Sequence, residues 1–428
     1  MITRPRWQTG AAPDAAMLRS CLQEHLAGQE RLRRLRDYYE GRHDILKRTR
    51  AGGLPNNRLV HGFPRYICAM ASGYLVGSPV SYQPRAGAND HESAALNALL
   101  ESYAESCVDS VDAELARNAS IYGRAVELVY ADEDARPRSV SLDPCCAFVV
   151  YDDTVAARPL FGVYYAPVRL ADGGADGWRL HVFTEHRRIT WRLTGLGDSG
   201  GLRRESEAPH YFGGVPMVEY WNDECERGDF EPVLTLIDAY DALASDRLND
   251  KQQFVDALLL LYGCTMETDE KGRTPGQQLR EDKALALPDS DAHAEWLCKQ
   301  LNEADTEILR QALKQDIHKM SLVPDLTDEQ FASNISGVAM RYKLLGLEQL
   351  TRIKERWFRE GLRARLGLYA CFMRRKGFAD VNPASVRIQF TRALPVNELE
   401  IAQTLRQLDG IVDPQMLKSR AEAAMGDK

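Results

Sequence analysis

Apolar positions recur at helical spacing through the first 120 residues. Met17, Leu18, Cys21, Leu22, Leu26, Leu32 and Leu35 predict a helix over 14–40, with Arg31, Arg33, Arg34 and Arg36 crowding its far end. After a loop at 51–57, Leu59, Val60, Phe63, Tyr66, Ile67, Met70, Tyr74 and Leu75 predict a second. Pro64 sits early in it, where a missing N–H is tolerated, and Gly77 and Pro79 stop it. Leu96, Leu99, Leu100, Tyr103, Cys107, Val111 and Leu115 predict a third, over about 92–120.

The period then shortens to two. From about Ile121 to Tyr220 short alternating runs, such as Ala125–Tyr130, Phe148–Tyr151, Phe161–Tyr165 and Leu180–Phe183, are separated by turn residues. This predicts an antiparallel β-rich block. Helical spacing returns after Pro232, and Val233, Leu236, Ile237, Tyr240, Leu243, Leu248, Val255, Leu258, Leu259 and Tyr262 predict one long helix. Asp238, Asp241, Asp246, Asp250 and Asp256 decorate it. A small α/β insertion is expected next, with strands at Cys264–Thr268, Leu285–Leu287 and Glu295–Cys298 and a helix at Pro275–Asp282. A return helix, about 302–319, makes the pair an antiparallel stalk with a knob at its tip. A polar segment, 324–336, precedes a very long helix from Gly337 to about Lys376. That helix carries Arg341, Lys343, Arg352, Lys354, Arg356, Arg359, Arg363, Arg365, Arg374, Arg375 and Lys376 against Glu348, Glu355 and Glu360, and its Gly346, Gly361 and Gly367 mark bends or close packing. A strand at 386–391 and a short helix at about 397–408 close the chain.

Composition narrows the class. With 428 residues, 44% hydrophobic, the chain has enough apolar material for two or three folded domains. No apolar run reaches the roughly 18 residues of a membrane span, and Met1–Gly10 lacks the apolar stretch of a secretory signal. The nine cysteines are scattered and never spaced C-x-x-C, which predicts reduced thiols used as small hydrophobes, not disulfides or a zinc site. The net charge of −8 argues against a protein that grips nucleic acid.

Several motifs suggest chemistry, and each has a plainer reading. Gly197-Asp198-Ser199-Gly200-Gly201 spells a serine-hydrolase signature, yet the apolar strand and following helix that the esterase version requires do not fit its flanks, and no histidine base is evident. A glycine-rich hairpin loop is the better reading, and it also accounts for the G-x-G-x-x-G formed by Gly195, Gly197 and Gly200. No phosphate-binding G-x-x-x-x-G-K-[ST] occurs. Asp132-Glu133-Asp134 and Asp152-Asp153 fit solvated turns better than a cation site, and Cys145-Cys146 fits a buried strand end better than a redox pair. The arginines at 31–36 fit a solvated helix face better than a phosphate site.

One set of segments is more specific. Tyr38-Tyr39-Glu40-Gly41-Arg42-His43-Asp44-Ile45, then Asn56-Asn57-Arg58-Leu59-Val60, then Gly73 to Val80 with Gly77-Ser78-Pro79-Val80, resembles the N-terminal signature of portal proteins of long-tailed double-stranded DNA bacteriophages. Phe331 to Glu348, containing Ser336 to Leu345, and Ile388-Gln389-Phe390-Thr391-Arg392 with Leu394-Pro395 continue the likeness in family order, covering about residues 30–400. The resemblance implies an α+β, multi-domain portal-type subunit. Its parts would be a mixed α/β wing (1–232), stem helix 1 (233–261), a small α/β clip (262–301), stem helix 2 (302–323), a tunnel loop (324–336), a long wing helix and return strand (337–396) and a short helical crown (397–428).

The resemblance also implies a role. Twelve copies would form a ring at one capsid vertex, the channel for DNA packaging and ejection, in the virion and, during assembly, in the host cytoplasm. Its partners would be double-stranded DNA, the terminase large subunit, a head-completion or adaptor protein, and the major capsid and scaffolding proteins; no cofactor, metal, membrane or catalytic step is implied. The tunnel loop would present Asp325, Thr327, Asp328, Glu329, Gln330, Ser333, Asn334 and Ser336, and the stem would turn Asp246, Asp250 and Lys251 to the channel. Arg341, Lys343, Arg352 and Lys354 would meet DNA or a neighbouring subunit. The competing readings are a serine hydrolase built on Ser199 and a virion component without a channel.

Overall fold

The computed structural model describes residues 1–6, 12–50, 54–85, 87, 89–171, 173–196, 201–254, 258–262, 293–297, 303–326, 340, 342–378, 380–392 and 406. They divide into two units: Met1–Arg42 with Gly62–Leu234 and Ile317–Lys428, and His43–His61 with Thr235–Asp316.

The first unit is built on a six-stranded sheet. Its strands are β1 (Ile2–Arg4), β5 (Ala147–Asp152), β6 (Pro159–Arg169), β7 (Ala175–Phe183), β8 (Arg187–Leu193) and β9 (Leu202–Pro209), in that spatial order. Every residue of β5 is buried, and strand alternation explains why. Phe148 and Val150 face a core shared with Leu18, Cys21 and Leu22 of α1 (Ala15–Ala27), while Ala147, Val149 and Tyr151 face Val126 and Met217 on the other side. Those last two belong to a second sheet, β10 (Met217–Trp221), β3 (Arg124–Ala131) and β4 (Pro137–Leu142), so β5 lies in the middle layer of helix, sheet and sheet. β1 pairs in parallel with β5, Ile2 opposite Val150. At three residues it has no periodic signal, and the sequence reading missed it.

Helices close the other side of the second sheet. The stretches expected as single helices are broken where the backbone must turn. Gly28 separates α1 from α2 (Gln29–Tyr39). The helix expected over 92–120 is two, α4 (Asp90–Glu105) and α5 (Val108–Tyr122), parted at Cys107, whose φ of 51° is left-handed. α4 starts with a capping box, Asn89 and Glu92 bonding each other's backbone N–H. α3 (Phe63–Val76) starts four residues later than expected, with Pro64 in its first turn, and Leu59 and Val60 lie outside it. The expected long helix is α8 (Leu345–Arg375), with a turn at Leu344; its expected start, 337–339, lies outside the described residues. Gly361 confirms close packing: a Cβ there would lie 2.4 Å from the Tyr220 ring. β13 (Val386–Gln389) pairs antiparallel with β2 (Ser81–Pro84).

In the second unit, α6 (Leu234–Phe254) and α7 (Glu303–Ser321) supply the two expected helices, each running past the unit's boundary. α6 is shorter than expected. Leu258–Tyr262, read as its last turns, forms β11 and pairs antiparallel with β12 (His293–Leu297), Leu258 opposite Leu297. A five-residue apolar run fits helix or strand equally, and a partner 35 positions away is invisible to local periodicity. The other expected parts of the knob, 264–268, 275–282 and 285–287, lie outside the described residues, as does the expected helix at 397–408 apart from Arg406.

The core also holds a titratable group. His25 of α1 stacks on Phe148 at 4.6 Å, and its Nε2 lies 3.2 Å from the Cys145 carbonyl. Burial lowers its pKa from 6.5 to about 4. Between those values the unfolded chain takes up a proton that the folded chain refuses, so the stability of the neutral ring is lost as pH falls. The stability gap between wild type and His25→Leu is expected to narrow by about 3 kcal/mol from about pH 7 to about pH 4. Chemical denaturation at each pH checks this, and a pH-independent gap would contradict it.

Candidate functional site

Of the residues expected to carry function, the structure gathers one set in the second unit. α6 and α7 run antiparallel: Arg310 Nη1 donates to Tyr240 Oη at 2.6 Å, Arg247 pairs with Glu307 at 2.7 Å and Lys251 with Glu303 at 3.1 Å. Positions rise on one helix as they fall on the other. Asp246, Asp250 and Lys251 lie together at a cleft of about 110 Å³ between the helices. Asp246 pairs with Arg48 at 2.7 Å and also with Arg50. Glu307, between two guanidinium groups, is held down at about 2, Arg310 being the larger cause. The three residues share this cleft, and Asp246 and Lys251 are paired within the chain.

The same unit holds a constellation the sequence reading did not find. Asp241, read as a surface aspartate, is fully buried. Its Oδ2 lies 2.6 Å from His43 Nδ1, and its Oδ1 accepts from the His61 backbone N–H at 2.9 Å and lies 2.8 Å from His61 Nδ1. Burial alone would raise this carboxyl, but the hydrogen bonds from His43 and His61 hold it below the usual range. One turn on, Ser245 Oγ accepts from the Leu59 N–H at 2.9 Å, and a further turn on, Asn249 Oδ1 accepts from the Asn57 N–H at 2.6 Å. The spacing is geometric. Two residues of extended chain advance about 6.6 Å and four of helix about 6 Å, so positions 57, 59 and 61 match 249, 245 and 241. The Asn56–Val60 and Tyr38–Ile45 segments thus owe part of their character to this comb. The sequence signal was available as polar residues at i, i+4 and i+8 on one face of α6.

In the first unit, Asp325 is half-buried, 4.0 Å from His318, whose Nδ1 lies 2.9 Å from the Val323 carbonyl. Thr327, Asp328, Glu329, Gln330, Ser333, Asn334 and Ser336 lie outside the described residues, as does Arg341. Arg352 is exposed and pairs with Glu348 one turn away at 2.8 Å. Lys343 is half-exposed. Lys354 corrects the expectation of a DNA or inter-subunit contact: it is 2% exposed and paired with buried Asp229 of its own chain. A lysine is taken out of water only when a partner offsets its desolvation, and here that partner is internal.

Arg365, one of the basic residues counted on the long helix, is also internal. It is fully buried, 2.6 Å from Asp112 and 2.7 Å from Glu127, beside the Tyr103 and Tyr220 rings. Burial works to lower its pKa, and the two carboxylates raise it well above the ordinary value. Arg392 similarly pairs with Glu348 at 2.9 Å and with Glu355. Much of the basic charge near α8 thus holds the unit together.

The other candidates resolve into local structure. Asp132 accepts from the Asp134 and Arg136 N–H groups and pairs with Arg138, as a hairpin carboxylate does. Asp152 Oδ1 accepts from Thr154 and Arg158. Arg31 pairs with Glu231 at 2.6 Å and Arg36 with Asp143 at 3.3 Å, so part of that cluster binds its own unit. Cys145 is buried beside the start of β5, and burial pushes its thiol up to about 12. β8 and β9 pair antiparallel, Leu193 opposite Leu202, and Gly201 N–H donates to Thr194 Oγ1 at 2.8 Å. Residues 197–200, Ser199 among them, lie outside the described residues.

Comparison with known proteins gives one consistent answer. A family model described as phage portal protein, SPP1 Gp6-like, matches residues 18–424. A portal protein of Bacillus phage SPP1 is 25% identical over 96% of this chain and 83% of its own length. A portal protein of a Clostridium phage, phiCD119, is 22% identical over 94% of this chain and 91% of its own length.

Proposed function

Because the chain belongs to the SPP1 Gp6-like family of phage portal proteins, we propose that it forms a twelve-membered ring at one capsid vertex and lines the path by which DNA enters and leaves. The observation that carries this reading is the family match over nearly the whole chain. In it, α6 and α7 are the stem, β11 and β12 belong to the clip, and residues 324–336 are the tunnel loop. The antiparallel ion pairs between α6 and α7 support the stem assignment. A terminase large subunit docks on the ring and supplies the energy; a head-completion or adaptor protein, the major capsid protein and scaffolding protein are the other partners. The chain itself performs no catalytic step.

The physical demand on such a channel is weak, uniform contact. Each cation that neutralises a phosphate releases counterions and adds affinity, so a lining rich in Lys and Arg would hold the duplex in place. Asp250 on the stem, and Asp328 and Glu329 on the tunnel loop, keep net attraction low, while Asp246 is already matched by Arg48 and Arg50. Lys or Arg at Asp328 or Glu329 is expected to leave rings intact and to shorten the DNA packaged per head. Pulsed-field sizing of packaged DNA reads this out. Full-length DNA in heads carrying such rings would contradict the sliding role of the loop.

A further inference from the structure

The second sheet of the first unit has an open edge. β10 pairs with β3 on one side, and no described strand lies on its other side. Val129 N–H donates to the Pro216 carbonyl at 2.8 Å, and Asn222 N–H to the Gly123 carbonyl at 2.9 Å. The even positions of this stretch therefore turn their backbone toward β3. Met217, Glu219 and Trp221 turn theirs the other way, and their N–H and C=O groups make no hydrogen bond among the described residues.

A cavity of about 730 Å³ runs along that edge. Met217, Val218 and Glu219 are consecutive, with side chains on alternate faces of the sheet, so all three line one cavity only where it follows the edge of the strand. Across from them α8 presents Trp357, Gly361, Ala364 and Leu368, spaced i, i+4, i+7 and i+11 on one face. The glycine and the alanine leave the room a second backbone needs. The Glu219 carboxylate is held against β5, accepting from Tyr151 Oη at 3.0 Å and from the Val149 N–H. The rim is apolar. Trp221 and Trp357, both half-buried, lie 5.3 Å apart, and Val155, next to Ala156 in the wall, is fully exposed.

A strand edge beside an unfilled groove is a template for another strand, because an extended backbone matches donors and acceptors that repeat every second residue. We infer that β10 receives an extended segment of a second copy of this chain, which adds a fourth strand to the sheet of β10, β3 and β4. The inference rests on the ring reading above. A closed ring joins unlike surfaces of successive subunits, so a groove on one subunit is filled by a different element of its neighbour. Every subunit keeps that contact for the life of the ring. Lasting interfaces of this kind are the ones that bury apolar surface, and two tryptophans and an exposed valine around an open strand edge supply it.

The test is residue-resolved amide hydrogen exchange on rings and monomers of the full-length protein, separated by size. The Glu219 and Trp221 amides are expected to exchange about 100-fold slower in rings than in monomers, while Val218 and Tyr220, bonded to β3, are protected in both. Two variants at exposed positions address the same groove: Ala364→Arg fills it from α8, and Val155→Asp charges its rim. Each is expected to weaken ring association about tenfold by mass photometry, with the thermal midpoint of the monomer unchanged. Glu219 and Trp221 amides that exchange as fast in rings as in monomers overturn this inference alone. So do amides already protected in monomers, which would assign the edge to the chain's own residues, and rings indifferent to both variants. Wild-type protein that forms no ring overturns the portal reading, and this inference with it.

Discussion

Arg365→Met is expected to destabilise the first unit by about 3–5 kcal/mol. The substitution keeps the apolar bulk of the side chain and removes the one cation that faces Asp112 and Glu127. All three groups are buried, so the two carboxylates would be left without a counter-charge in a medium that solvates them poorly. Glu127 keeps its bond from Tyr220 Oη at 2.5 Å, and Asp112 keeps much less. The loss should depend on pH in a definite direction. Burial pushes Asp112 up to about 6 even beside the guanidinium, and removing Arg365 raises it further. A carboxyl whose folded pKa lies above its unfolded value stabilises the fold at low pH, and that contribution is lost as pH rises through the folded pKa. The deficit of Arg365→Met should therefore be larger at about pH 8 than at about pH 5, and adding Asp112→Asn should recover part of it at the higher pH. Urea unfolding of the variants at both pH values checks this. A deficit under about 1 kcal/mol at the higher pH would contradict the reading of Arg365 as the charge that holds this core together.

The second large effect belongs to the other unit. Asp241→Ala removes the carboxylate shared by the His43 ring, the His61 ring and the His61 N–H, all on one buried side chain. Three polar groups would then lack their acceptor, at a cost of about 3 kcal/mol or more. The comb of Asp241, Ser245 and Asn249 would also lose its end tooth. Hydrogen exchange at the His61 and Leu59 amides is expected to accelerate about 100-fold, because their protection comes from these side chains rather than from a sheet or helix ladder. Asp241→Asn, which retains one acceptor oxygen, should fall between Ala and wild type. Unchanged exchange at both amides in Asp241→Ala would remove the comb as an explanation for the Asn56–Val60 segment.

How much of this was legible from the sequence depended on the range of the signal. Local periodicity placed the body of α3 and the β-rich block, because one buried face fixes each pattern, although it started α3 at Leu59 instead of Phe63. Breaks at Gly28 and Cys107 were missed, since a single left-handed or tight residue leaves the apolar spacing nearly unchanged. β1 and β11 were missed because each is a short strand whose identity comes from a distant partner. Charges were the hardest to place. Lys354 and Arg365 read as surface cations on a basic helix, and only the fold shows that Asp229, Asp112 and Glu127 wait opposite them. Asp241 was misread for the same reason. Asp246 and Asp250 could be placed together because i and i+4 share one face of α6 whatever the tertiary structure, whereas Lys251, about 140° around the helix from Asp246, lines the same cleft through its pairing with Glu303 of α7.

The acidic balance of the chain, at first an argument against a nucleic-acid partner, is what a conduit for DNA needs, and much of the basic excess of α8 is matched by acidic side chains of its own unit. The measurement that tests the portal reading most directly is negative-stain imaging of the purified full-length protein at low and moderate salt, with its mass in solution taken in parallel. The account predicts closed rings of about twelve subunits around a central hole wide enough for a DNA duplex. Monomers, open filaments or compact particles without a hole at every salt concentration would contradict it.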